Sequence, residues 1–357
     1  MVKADLEAVV KFNRERPDVY GNAHPKNLLR AIQEDGDHLS RLSSRHIYSI
    51  DQFEPESLFQ LFRLAAKYEA NPDRFGTSLQ GKILISAFYE PSTRTRLSFE
   101  SAWHRLGGDI MSITDRSTTG IAKGESLADV GEMFNNYGDC VVLRDTNANS
   151  VREMMSALRI PIINAGNGTD EHPTQAMADL YTIFKWKPSL ITSMGEEKIN
   201  LCVVGLPSKM RTVRSLLKLV ALFPQCFNQV TIVNDQTRED MFDEGQATQL
   251  TEAGINLHTC DCLDDVLPEA DVVYINAIAW EGNSFNQYGK QFHITSASPL
   301  KKNAIILHPL ARGAELCSSL DNTDHNWYFA QARGAVFLRQ ALLTCLVQRA
   351  ERVLDIV

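Results

Sequence analysis

Lys82–Glu100 reads KILISAFYEPSTRTRLSFE, and its two halves follow different periods. Lys82–Tyr89 (KILISAFY) is a nearly unbroken apolar run, the pattern of a strand buried on both faces. The second half opens on Glu90–Pro91–Ser92–Thr93–Arg94–Thr95–Arg96 and passes into Leu97–Leu106, which has helical apolar spacing. A strand that turns directly into a helix leaves the first helical N–H groups without partners. With the helix dipole, those amides favour an anion. Ser92, Thr93 and Thr95 add hydroxyl donors, and Arg94 adds a charged fork that matches phosphate oxygens. A Ser or Thr before a helix is also a common stabilising cap. Three hydroxyls interleaved with two arginines at a strand's carboxyl end exceed what a cap needs. No GxxxxGK[ST] occurs and no GxGxxG follows a strand, so the loop matches neither nucleotide fingerprint.

The same alternation extends in both directions. Ile110–Thr114 reads as strand, Glu125–Tyr137 as helix, Cys140–Arg144 as strand, Val151–Arg159 as helix, Pro161–Asn164 as strand and Pro173–Trp186 as helix. Around 187–198 (KPSLITSMGEEK) Pro, Gly, Ser and charges break the pattern and mark a domain boundary. A second series follows: strand Ile199–Val204, helix Arg211–Phe223, strand Val230–Asn234, helix Glu239–Ala253 and strand Asn256–Thr259. A short helix near Asp264 and strands Asp271–Asn276 and Ala304–Leu307 complete it. Trp327–Val357 is a long helical stretch with an expected break near Gly334. The fold class is therefore α/β, with two doubly wound parallel-sheet domains and an interdomain active site. The expected division is an N-terminal extension over 1–44, domains over 45–187 and 188–330, and a terminal helix over 331–357 that packs back on the first domain. The extension is rich in charge, with weak helical signals at Leu6–Phe12 and Leu28–Ile32.

The 357 residues suit about two domains on a prior of ~100–200 residues each. Apolar residues at 44% and charged residues at 22% are ordinary globular values, which excludes a disordered or collagen-like chain. The net charge of −8 argues against a general nucleic-acid binder, so an anionic ligand needs a local positive cluster. No run of ~18 apolar residues occurs, so no membrane span is expected. Met1–Arg16 is charged and lacks an apolar signal core. Seven cysteines (Cys140, Cys202, Cys226, Cys260, Cys262, Cys317, Cys345) are scattered, without a CxxC or paired histidines. They read as reduced thiols of a cytoplasmic protein with neither metal nor cofactor.

Phe88–Glu100 resembles the carbamoyl-phosphate signature of the aspartate/ornithine carbamoyltransferase family, on the side of the aspartate branch. His172–Pro173–Thr174–Gln175 and His308–Pro309–Leu310 resemble two further motifs of that family, in the same order and spacing. The resemblance runs from about Arg45 to the C-terminus. It implies transfer of the carbamoyl group of carbamoyl phosphate to an amine, with release of phosphate. With aspartate as acceptor, that reaction belongs to pyrimidine biosynthesis. It also implies roles: Ser92, Thr93, Arg94 and Thr95 on the phosphate, Arg144 bridging phosphate and carbonyl oxygen, and His172 donating to that oxygen. Gln175 and the Pro309 and Leu310 carbonyls would orient the carbamoyl NH2. The segment Ser117–Glu125 resembles a mobile loop that reaches a neighbouring subunit's site, which implies Lys123 and Thr119 as donors there and a homotrimer with shared sites. Outside the resemblance, Arg144, His172 and Thr119 would read as a surface charge, a helix-start residue and part of a solvent loop.

On the acceptor side Val204–Thr212 (VGLPSKMRT) resembles the family's strand–loop–helix, with Arg211 as a carboxylate-binding arginine and Thr212 beside it. Leu206 stands where an acidic residue is usual. After Tyr274 the aspartate branch carries Arg-x-Gln, and here Ala277 and Ala279 occupy those positions. The ornithine branch's Ser-Met-Gly is also absent, with Trp280–Glu281–Gly282–Asn283 in its place, and HPLPR is His308–Pro309–Leu310–Ala311–Arg312. The expected partners are thus carbamoyl phosphate and an amino-acid or amine acceptor that is not aspartate. A silent carbamoyl-phosphate-binding subunit with a regulatory or scaffold role is the alternative from another class.

Overall fold

A computed structural model of the chain describes residues 25–72, 76–193, 195–234, 241–276 and 292–348. Its described strands form two sheets, and every strand pair in them is parallel. The first sheet holds β1 (Ile83–Phe88), β2 (Asp109–Ile113), β3 (Cys140–Asp145) and β4 (Ile162–Asn167) in the order β2-β1-β3-β4. The second holds β5 (Ile199–Val204), β6 (Phe227–Val233), β7 (Leu257–Cys260), β8 (Val272–Ile275) and β9 (Ile305–Leu307) in the order β7-β6-β5-β8-β9. Two parallel-sheet α/β domains are what the alternation of apolar runs and helical spacing implied.

Ten of the described α-helices accompany these strands. They are α1 (Pro25–Ala31), α2 (Pro55–Ala70), α3 (Thr93–Arg105), α4 (Leu127–Tyr137), α5 (Ser150–Met155), α6 (Pro173–Trp186), α7 (Arg211–Leu222), α8 (Gln246–Glu252), α9 (Leu263–Val266) and α10 (Tyr328–Val347). Two are shorter than their apolar spacing suggested. The expected Val151–Arg159 helix stops at Met155, and the expected Glu239–Ala253 helix begins only at Gln246. Gly245, at φ 77°, turns the chain into α8 through the left-handed region. Residues 25–44 do not stand apart: Leu28, Ile32, Leu39 and Leu42 are buried in the core, and α1 lies against α2. The Leu6–Phe12 signal lies outside the described residues.

α10 runs unbroken through Gly334, against the expected break, and packs on α2, α3 and α6. Fifteen of its twenty residues are buried, and only a narrow stripe at Phe329, Ala332, Arg333 and Val336 turns outward. The glycine serves a close approach instead. Lys185 of α6 is buried and reaches the two Glu69 oxygens at 2.8 and 3.0 Å, while the Tyr181 hydroxyl donates to Glu69 at 2.7 Å. A Cβ at position 334 would stand 2.9 Å from Lys185 Nζ and 3.2 Å from the Tyr181 ring. In an ordinary helix interior Gly→Ala gains about 1 kcal/mol. Here overpacking outweighs that gain, and Gly334→Ala should destabilise the chain by about 1–3 kcal/mol. Denaturant unfolding measures it. A variant as stable as the native chain would mean that the Lys185 end moves aside freely.

Candidate active site

Each sheet reverses its strand order at an internal pair, β1/β3 in the first and β5/β8 in the second. Open α/β sheets bind ligands outside the carboxyl ends of the strands at such switch points. The loops leaving all four of these strands line a single cleft of about 780 Å3. From the first domain come Glu90–Thr95, Arg144, Gly168, His172 and Gln175. The second contributes Lys209–Thr212, Asn276, Pro309 and Leu310.

The β1–α3 turn, Glu90–Thr95, lines the cleft. Ser92 is the N-cap of α3 yet makes no side-chain cap bond, so its hydroxyl is not used as a cap. His172 likewise caps α6 without a side-chain bond. Thr95 is buried, with its hydroxyl 3.4 Å from His172 Nε2. The His172 backbone N–H donates to Ser215 Oγ at 3.0 Å, and its ring Nδ1 is buried with no hydrogen-bond partner among the described residues. Gly166, at φ 106°, admits both Arg211 and His172: a Cβ there would meet their side chains at 3.1 and 3.3 Å. Burial first, then the positive field of Arg144, Arg211 and Arg339, holds the His172 imidazole well below its ordinary pKa. It is therefore neutral at pH 7, with one N–H to donate.

Glu90 joins the two domains. It pairs with Arg144 by a very short contact and takes two bonds from Arg211, at 2.8 and 3.0 Å. Arg211 also donates to the Gly168 carbonyl at 2.7 Å. Burial pushes the Glu90 carboxyl up, but the two guanidinium groups outweigh it and hold the carboxyl below its usual range. Leu310 has left-handed backbone at φ 56°, and its N–H donates to His308 Nδ1 at 2.7 Å. That bond fixes the Pro309–Leu310 segment at the cleft wall.

A match to the model described as "Aspartate/ornithine carbamoyltransferase, carbamoyl-P binding domain" covers residues 45–185. Residues 197–346 match "Aspartate/ornithine carbamoyltransferase, Asp/Orn binding domain". The chain belongs to the aspartate/ornithine carbamoyltransferase family. Among curated relatives, the aspartate carbamoyltransferase catalytic subunit of Methanothermobacter thermautotrophicus is 34% identical over 308 residues, 85% of this chain and 95% of its own length. That of Chromobacterium violaceum is 35% identical over 312 residues, 85% of this chain and 98% of its own. The crystal structure of aspartate transcarbamoylase from Trypanosoma cruzi in complex with carbamoyl phosphate and aspartate superposes with a TM-score of 0.78. It is 30% identical and covers 87% of this chain and 99% of its own.

In this carbamoyltransferase the cleft unites Ser92, Thr93, Arg94, Thr95, Arg144, His172, Gln175, Arg211, Thr212, Pro309 and Leu310. Thr119 and Lys123 do not line it. They sit on short helical turns over 116–123, where the Thr119 hydroxyl donates to the Arg116 carbonyl at 2.7 Å and Lys123 is exposed. Arg116 ties that loop to the buried Asp145, at 3.0 Å. Ala277 and Ala279 lie outside the described residues. Sequence reasoning assigned no role to Glu90 or Asp179. For Glu90 the signal was present, a carboxylate inside an arginine-rich anion loop. For Asp179, four residues beyond Gln175 on a helix, no chemical pattern marked it.

Unfolding exposes His172 and lets it take up a proton below about pH 6.5. Its folded pKa is depressed, so the stability that it contributes is present above about pH 6.5 and is lost as the pH falls. Relative to a His172→Gln variant, the native chain should lose up to about 1.4 kcal/mol per pH unit between pH 6.5 and 5. Parallel stability curves for the two proteins, from urea titrations across that range, would refute the neutral assignment.

Proposed function

We propose that this carbamoyltransferase moves the carbamoyl group of carbamoyl phosphate to the amine of an amino-acid or amine acceptor other than aspartate. The observation that carries the carbamoyl half is convergence on one cleft. The α3 amides and hydroxyls, Arg94, Arg144, a neutral His172 and Gln175 meet there with the Pro309–Leu310 segment. On this reading Ser92, Thr93, Arg94 and Thr95 hold the phosphate. The acceptor nitrogen attacks the carbonyl carbon, and the oxygen that becomes negative takes donors from Thr95, Arg144 and the imidazole. Preorganised donors of this kind are each worth about 10²–10³ in rate. Collapse breaks the bond from the carbonyl carbon to the phosphate oxygen. Departing phosphate then takes the proton released by the amine. No protein nucleophile is required, and positioning supplies much of the rest.

The acceptor half is supported by sequence. The named relatives are aspartate carbamoyltransferases, and the resemblance read from Tyr274 onward puts Ala277 and Ala279 where that branch has its Arg-x-Gln. A ligand carboxylate leaving water needs charged partners, and truncating one costs about 2–5 kcal/mol. Loss of the arginine alone corresponds to at least a ~30-fold weaker grip. L-aspartate is therefore expected to be a poor acceptor beside other amino acids and diamines, read by phosphate release in steady state. Efficient turnover of L-aspartate at millimolar or lower concentration would overturn this. It would point to a lysine substituting for the arginine, Lys209 at the cleft wall or Lys290 outside the described residues. A complete absence of turnover across the panel would favour the silent regulatory or scaffold subunit.

A homotrimer with shared sites is part of the same proposal. Thr119 and Lys123 stand outside their own chain's cleft, and Leu97, Met111, Met133 and Tyr137 are exposed on α3, β2 and α4. Mixing inactive Lys123→Ala and Arg94→Ala chains should restore activity, because some hybrid sites then receive both native residues. Subunit exchange without recovered activity would refute the sharing.

A further inference from the structure

Three buried groups form a layer directly behind the cleft. Asp179 of α6 is fully buried, and its Oδ1 accepts from Gln175 Nε2 at 2.7 Å and from Gln331 Nε2 of α10 at 2.5 Å. Gln331 in turn accepts the His308 N–H at 2.8 Å through its Oε1. His308 receives the Leu310 N–H on Nδ1, and its Nε2 lies 2.9 Å from Glu315. One carboxylate oxygen thus anchors two chains of hydrogen bonds that end on the cleft wall at Gln175 and at Pro309–Leu310.

The direction of these bonds matters more than their number. A side-chain amide has one donor end and one acceptor end. With Nε2 of Gln175 committed to Asp179, the end left for the cleft is the acceptor Oε1. The same holds on the other arm, where Gln331 spends its donor on Asp179 and its acceptor on the His308 N–H. Burial pushes the Asp179 carboxyl up to about 7, against the amide donors that favour its ionised form; ionised, it accepts and cannot donate, which enforces this sense on both amides. An apolar residue would fit a helix buried on all sides at lower desolvation cost. Nor is the charge compensated by a direct ion pair among the described residues: the Tyr274 hydroxyl of β8 lies close to Asp179, and the Arg339 guanidinium acts on it through space. A carboxyl kept in such a place, against its solvation, sets hydrogen-bond polarity more than it stabilises packing.

We infer that Asp179 is a positioning residue that turns the acceptor ends of Gln175 and of the Pro309–Leu310 segment toward the cleft. It thereby makes the site selective for a ligand carrying an NH2 group. The inference rests on the proposed carbamoyl-phosphate reading of the cleft. It adds that recognition of the amide is separable from recognition of the phosphate. The phosphate-holding loop at 92–95 shares no hydrogen bond with Asp179. Damage at Asp179 should therefore fall on the amide alone, whereas general loosening of the domain would weaken both.

The experiment compares two ligands on the full chain by calorimetry, inorganic phosphate and phosphonoacetamide, a stable phosphonate bearing the CONH2 group. The native protein should prefer the amide. Asp179→Leu, which cannot accept a hydrogen bond, should lose about tenfold of that preference, the worth of one buried acceptor, with phosphate affinity unchanged. Asp179→Asn keeps an acceptor oxygen for both glutamines and should recover most of the preference. Should the leucine variant not fold, Gln331→Leu cuts only the His308 arm and should produce a smaller loss confined to the amide. An intact preference in the leucine variant, or equal loss of both ligands, overturns the positioning role and leaves the carbamoyl reading standing. A native protein that binds phosphonoacetamide no better than phosphate overturns the carbamoyl reading, and the inference with it.

Discussion

Glu90 lies between two arginines that would otherwise repel each other across the cleft. Arg144 ends a strand of the first sheet and Arg211 opens a helix of the second domain, and both are largely removed from water. Burial and the neighbouring Arg211 charge each push the Arg144 guanidinium down, while Glu90 opposes them. Two like charges in a low-dielectric cleft hold the domains apart unless an anion sits between them. Glu90 is such an anion, and it is supplied by the same turn that lines the cleft. Domain arrangement and anion affinity therefore share one charge balance.

The layer beneath repeats this logic without solvent. Lys185 and Glu69 are buried together, and Tyr181 and Gly334 shape the space around them. Breaking such a pair leaves an uncompensated charge, which typically costs 3–5 kcal/mol. It joins α2 to α6 beneath α10, so the helix that carries Gln331 sits on a polar seam with a single satisfying arrangement. Apolar packing alone tolerates slippage between helices. A buried ion pair and a directional amide chain do not.

What the sequence made legible follows from how local each signal was. Strand Ile199–Val204 and helix Pro173–Trp186 have the bounds that their apolar spacing and Pro at the first turn predicted. The anion loop was legible because a strand, hydroxyls, arginines and a helix follow one another within twenty residues. Gly334 was misread because its reason is a Lys185–Tyr181 approach from another helix, which no local rule contains. Asp179 and Gln331 escaped notice for the same cause: they lie 152 positions apart, and only the fold turns them into one network. Residues 25–44 looked like an extension because four buried leucines and isoleucines are too few to make a period.

Arg211 bears on the acceptor question independently of the alanines at 277 and 279. Its guanidinium is already engaged by both Glu90 oxygens and by the Gly168 carbonyl. A ligand carboxylate that reaches Arg211 must share or displace Glu90, and displacing it removes one of the polar links between the domains. Acceptor binding at this residue is thus coupled to domain geometry, whatever the acceptor is. On the proposed reading, phosphate would act on the other side of the same balance, since a dianion beside Arg144 would compete with Glu90 for that arginine. Glu90 freed from Arg144 has Arg211 as its remaining partner. On the proposed reading, an anion at the phosphate loop would leave Glu90 to Arg211, so that anion binding and the link between the domains meet in this one carboxylate.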